Sequence, residues 1–202
     1  MVSELNQLPA ESLSPLAERV DEALALYGYE ITPAIEAIDA AVPGFGGLFS
    51  PQTTDDERRA ALDKVMAAGP PSTRQFVRDS ATSGVVLYVD GSSRGNPGPA
   101  GAGAVLQTDG SRLARLGRPV GSRTGNNVAE YAALQLGLEA VVAWCDPASV
   151  EIRIDSMTVV DAVWGDDTET APVTPYHTAI EESLSAVSAH EWTHLADSDP
   201  NP

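Results

Sequence analysis

The 202-residue chain has room for one ordinary domain and a small additional unit, and its 43% hydrophobic content supports a packed core and excludes wholesale disorder. Its 29 acidic residues against 12 basic ones leave a formal charge of -17, a density of like charge that costs stability unless salt screens it. Acidity of this kind argues against a polyanionic partner, an argument that weakens in molar salt, where the Debye length is about 3 Å. Cys145 is the only cysteine, so no intrachain disulfide can form and a reducing compartment is compatible. The first residues show no signal-peptide pattern, and no apolar run approaches the roughly 20 residues of a membrane span. A soluble, cytoplasmic, monomeric protein is the expectation.

In chain order, Leu13, Leu16, Val20, Leu24 and Tyr27 share one face of a predicted helix over 13–27. Pro33 suits the first turn of a second helix, 33–42, with Ile35 and Ile38 inward. The following PGFGGLFSP stretch carries Phe45, Leu48 and Phe49, which either form an exposed contact site or pack back on their own unit. Thr54 and Glu57 make a capping-box pattern that predicts a third helix over 55–68. Residues 1–75 are therefore expected to be a helical N-terminal unit, followed by a linker at 76–84 and a second domain over 85–202. The unit contains no catalytic constellation. Its acidity favours a protein-docking or stabilising role over a nucleic-acid clamp.

The apolar run Val85–Val89 predicts a first strand ending at Asp90, where Gly91, Ser92, Gly95, Asn96 and Pro97 signal a turn. Taken alone, Asp90-Gly91 is either a hairpin turn or a carboxylate on a rigid strand beside a glycine-rich loop, an arrangement that suits a metal ligand. Further strands are predicted at 103–107 and 112–120 around an Asp109-Gly110 turn, which makes an antiparallel meander. A long helix over 127–144 carries Glu130 in its first turn. A strand over 150–154 ends at Asp155, a short helix follows over 156–164, and an acidic loop over 165–175 leads to a helix over 176–187 and a strand over 190–195. Because the fourth strand follows a helix, it can lie parallel to the first. The sheet would then end on a bare strand and loop, so a further helix is expected beyond Pro202.

Each acid also has a structural explanation, with Asp90 in a turn, Glu130 at the positive end of its helix and Asp155 capping the next helix. If strands one and four are adjacent and parallel, however, Asp90 and Asp155 emerge side by side and the long helix brings Glu130 between them. Three clustered carboxylates repel one another unless cations compensate. Oxygen ligands without Cys or His favour Mg²⁺ or Mn²⁺, and two such ions about 4 Å apart can activate water and stabilise the leaving oxygen of a phosphodiester.

The motifs D-G-S-x-x-G-N-P-G-x-x-G-x-G from Asp90 to Gly103, N-N-x-A-E from Asn126 to Glu130, and D-S-x-x-V-V from Asp155 to Val160 closely resemble the type 1 ribonuclease H family, ribonuclease HI. The resemblance covers roughly residues 85–202. It implies an α/β fold, a five-stranded mixed sheet flanked by helices, and metal-dependent cleavage of the RNA strand of RNA–DNA hybrids that leaves 5′-phosphate and 3′-hydroxyl ends. It also implies that Asp90, Glu130 and Asp155 hold two Mg²⁺ or Mn²⁺ ions. Asn96 and Asn127 would contact the hybrid, with Gly91, Ser92 and Asn126 nearby, and His194 would follow the last strand. For His177 and His190 a surface or packing role is expected.

Three departures from the family pattern stand out. Its fourth carboxylate falls beyond Pro202, with Asp197 and Asp199 as weak stand-ins; Gly125 occupies a usual threonine position beside Thr124; and the loop after Trp164 is acidic. An alternative reading is a hybrid- or double-stranded-RNA-binding module with weak or no cleavage. The near absence of lysine, with Lys64 alone, resembles proteins of salt-in halophiles.

Overall fold

The computed structural model describes residues 12–42, 47–69, 84–145, 148–164 and 173–196. Expectations for Phe45, the linker over 76–83, the acidic loop over 165–172, Asp197, Asp199 and any later helix lie outside the described residues.

Helix α1 (Pro15–Leu26) starts at Ser14, whose hydroxyl accepts from the Ala17 N–H at 3.3 Å, with Pro15 in the first turn where its missing N–H is harmless. Helix α2 spans Ile31–Ala41, beginning two residues before Pro33. Helix α3 (Asp55–Ala68) carries both halves of the capping box: the Thr54 hydroxyl accepts from the Glu57 N–H at 3.3 Å, and the Glu57 carboxylate accepts from the Thr54 N–H at 2.7 Å. Leu24, Ala34, Ile38, Leu62 and Val65 from these helices are buried in one apolar cluster continuous with the sheet. Leu48 packs against that cluster, whereas Phe49 is exposed.

Strands β1 (Val85–Ser93), β2 (Gly98–Thr108), β3 (Ser111–Thr124), β4 (Val150–Ile154) and β5 (His190–His194) form one sheet in the order β3-β2-β1-β4-β5. The first three are antiparallel; β4 runs parallel to β1, and β5 parallel to β4. This is the five-stranded mixed sheet, flanked by helices, that the resemblance implies. Asp90-Gly91 is not a hairpin turn, and β1 does not end there. The glycine- and alanine-rich β2 pairs opposite it, Asp90 with Gly103 and Gly91 with Ala102, so main-chain hydrogen bonds carry the strand on to Ser93. Residues that weaken strands in isolation are tolerated here because the ladder is supplied by the neighbour. The Asp109-Gly110 turn has φ values of +49° and +76°, the pair of positive angles that a two-residue hairpin requires.

Helix α4 (Asn126–Trp144) is apolar nearly all round and is buried along most of its length against β1, β2 and helix α6 (Thr174–Ser185). Helix α5 (Met157–Trp164) follows β4 directly. On the opposite face of the sheet Tyr88, Val105 and Leu195 make a small second cluster. There Arg153 donates to the Tyr88 hydroxyl at 2.6 Å and to both Glu151 carboxylate oxygens, tying β1 to β4.

Candidate active site

Parallel pairing of β1 with β4 ends at Tyr88 and Arg153, so both chains leave that ladder at the same edge of the sheet. Asp90 follows two residues later on β1, and Asp155 comes directly after β4. Glu130 reaches the same point from the first turns of α4. One carboxylate oxygen from each of the three lies within 4.8 Å of the others, with Asp90 and Asp155 exposed and Glu130 buried.

The approach of α4 depends on Gly91. A Cβ at this position would collide with the backbone of Ala129 and Glu130, so only glycine lets the helix lie this close to β1. The contact becomes a hydrogen bond, with the Gly91 N–H donating to Glu130 Oε2 at 3.0 Å. Asn126 Nδ2 donates to Glu130 Oε1 at 3.4 Å, while Asn126 Oδ1 accepts from the Ser93 N–H at 3.2 Å and its own N–H donates to Asn96 Oδ1 at 3.3 Å. The loop at Asn96, the end of β1 and the start of α4 are thereby joined around one glutamate.

The electrostatics follow from this crowding. Burial pushes the Glu130 carboxyl up to about 7, with repulsion from Asp155 adding and the Gly91 N–H opposing. Asp90 is also raised, first by burial and then by Asp155. Such a cluster holds negative charge that a divalent cation would neutralise, and its donors are all hard oxygens. The residues present fit that group.

Of the other expected site residues, Ser92 on β1, Asn96 in the loop after it, and Asn126 and Asn127 at the start of α4 are exposed, while Gly91 is buried between strand and helix. His194 Nε2 donates to the Asp155 carbonyl at 3.0 Å, tying the end of β5 to the site. His190 accepts from Trp192 Nε1 at 3.2 Å, and His177 lies 3.6 Å from Glu181, in line with the packing and surface roles expected of them. From Asp90 an open groove of about 390 Å³ crosses Gly103 and Gly117 to Arg115 and Ile31.

The sequence reading missed where the free cations sit. Residues 85–124 hold five arginines and two aspartates in a chain of charge -17. Among the described residues Arg94, Arg112, Arg115 and Arg123 form no ion pair, whereas Arg19, Arg58, Arg59, Arg118 and Arg153 all do. Arg94 and Arg123 lie at the end of the sheet that carries Asn96 and Asn126. The signal was available as a local reversal of charge against an acidic background.

The family model for RNase H matches residues 82–194. A curated ribonuclease HI of Halobacterium salinarum is 39% identical over 109 residues, covering 52% of this chain and 54% of that protein. The crystal structure of the RNase H1 from the same halophilic archaeon has a TM-score of 0.52 at 36% identity, over 56% of this chain and 86% of that one. LC11-RNase H1, solved in complex with RNA/DNA hybrid, has a TM-score of 0.51 at 29% identity, over 56% and 86% of the two chains. This chain spans about half, or less, of the length of the curated relatives it matches.

Proposed function

The chain belongs to the RNase H family, and from that membership and its carboxylate geometry we propose that it hydrolyses the RNA strand of RNA–DNA hybrids, leaving 5′-phosphate and 3′-hydroxyl ends. The observation that carries this reading is the meeting of Asp90, Glu130 and Asp155, with oxygens within 4.8 Å and two of the three acids shifted upward. These three would hold two Mg²⁺ or Mn²⁺ ions. When bound, the ions supply charge neutralisation, an activated water and stabilisation of the leaving oxygen.

The chain's own residues have separable tasks. Gly91 and Asn126 fix both oxygens of Glu130 before substrate arrives, which reduces the reorganisation left for the reaction. His194 anchors the backbone of Asp155 through its carbonyl. Exposed Ser92, Asn96 and Asn127 would contact the hybrid, with specificity for the RNA strand resting on its 2′-hydroxyls. Arg94 and Arg123 would meet backbone phosphates, giving the acidic chain a local surface for a polyanion. The site of action would be the cytoplasm; among the described residues no helix is long and apolar enough to cross a membrane.

The test is cleavage of end-labelled RNA–DNA hybrid, RNA duplex and DNA duplex by the full chain in molar KCl with Mg²⁺ or Mn²⁺. Cleavage confined to the RNA of the hybrid is expected. Asp90→Asn should lower the rate about a thousandfold or more, as expected when several kcal/mol of charge stabilisation are lost at 1.36 kcal/mol per decade. Undiminished cleavage by Asp90→Asn would overturn the metal mechanism, and binding of hybrid without any cleavage would favour a binding module.

A further inference from the structure

The family match begins at residue 82 and leaves the N-terminal helices without a role. β3 is an outermost strand, and a bare strand edge is a template for pairing with another chain. Here the chain's own N-terminal segment takes that edge. The Gly117 N–H donates to the Tyr29 carbonyl at 3.0 Å, Glu30 and Leu116 form an antiparallel bridge, and the Ser122 N–H donates to the Ser12 carbonyl at 3.2 Å. Pro119, between these two amides, has no N–H to satisfy.

A buried charge pair crosses the same junction. Arg118 on β3 is 6% exposed, and its guanidinium lies 3.1 Å from the Asp21 carboxylate on α1 and 4.7 Å from the centre of the Tyr29 ring. Its Nε and Nη1 have no hydrogen-bond partner, so Asp21 is its one ion pair, with the charge of Glu139 on α4 acting on it from farther away. Tyr29 is 5% exposed and holds φ at +60°, a left-handed conformation that a bulky residue keeps only where its surroundings impose it. The arginines of the helices are committed elsewhere, Arg19 to Glu22 and Asp63, Arg58 to Asp55 and Arg59 to Asp56, which leaves Lys64 as the one cation on α1–α3 without an ion pair among the described residues.

We propose that α1–α3 and residues 12–14 and 27–30 beside them are a built-in cap on the β3 edge, locked by the Asp21–Arg118 pair, and that they fold as one cooperative unit with β3 and α4 instead of serving as a tethered grip for nucleic acid. The proposal stands independently of the hydrolytic reading, since its tests follow folding and not cleavage.

Native-state hydrogen exchange on the full chain in about 2 M KCl, where charge is screened, provides the first test. The amides of α1, Gly117 and α4 should share one opening equilibrium. Opening of α1–α3 a hundredfold or more readily than α4 would overturn the cap. In Asp21→Ala the buried arginine loses its partner, and opening of α1, β3 and α4 together should rise roughly a hundredfold to a few thousandfold. A rise confined to α1–α3, with α4 unchanged, would also overturn it. If Asp21→Ala does not fold, the paired Asp21→Leu, Arg118→Met chain should restore opening to within about tenfold of wild type, because the buried ion pair is then removed as a unit and no unpaired guanidinium is left. A paired variant that opens a hundredfold or more readily than wild type would refute the lock.

Discussion

At Gly91 a single missing side chain decides whether a strand and a helix can meet, and Glu130 is placed by that meeting. Gly91→Ala should lower stability by about 1–3 kcal/mol through overpacking against α4 and weaken divalent-ion binding, as urea denaturation with and without Mg²⁺ will show. Glu130 itself couples the site to pH. Its folded-state pKa of about 7 lies above that of the unfolded chain, so in the absence of divalent ions its contribution to stability is full below the ordinary carboxylate range and is lost as pH rises through 7. In EDTA, Glu130→Gln should therefore be more stable than wild type at pH 8 and no more stable near pH 4. Added Mg²⁺ or Mn²⁺ should stabilise wild type more at pH 8 than at pH 5, and Glu130→Gln much less at either. A flat difference between the two proteins across this range would contradict the assigned shift.

Among the elements, α3 and β1 show two kinds of sequence signal. The capping box at Thr54 and Glu57 is local chemistry, and α3 runs over the residues it predicted. Thr54→Ala should cost about 1 kcal/mol. Because α3 belongs to the same apolar cluster as the sheet, that loss should appear in the global unfolding transition and not in a separate early phase. Fluorescence and circular dichroism melts of the two proteins will check this. β1 behaves differently: its last four residues look like a turn and form a strand only because β2 lies opposite.

For the whole molecule, charge is the governing quantity. With a net charge of -17 and, among the described residues, its arginines without ion pairs on β3 and in the loop joining β1 to β2, the chain combines general self-repulsion with a local cationic surface. Stability should rise with KCl and fall away below about 0.5 M, where screening is incomplete. Melting temperatures across a KCl series will show it, and an unchanged melting temperature from 0.1 to 3 M would remove the halophilic reading. Hybrid affinity should fall on Arg94→Ala and Arg123→Ala, with a shallower salt dependence for each charge removed.

The sequence alone carried the helices, the succession of strands along the chain and the three acids, because periodicity, caps and spaced motifs are properties of neighbouring residues. Asp90, Glu130 and Asp155 were legible as a set before any coordinates. The tertiary structure decided what depends on distant partners. It extended β1 through Asp90, closed Gly91 against α4, gathered Asn96, Ser93 and Asn126 around one glutamate, and laid the N-terminal segment along β3. Strand ends, close approaches and buried counter-charges are set by what lies across a gap. Asp21 and Arg118 are 97 positions apart and carry no mark of each other in the chain.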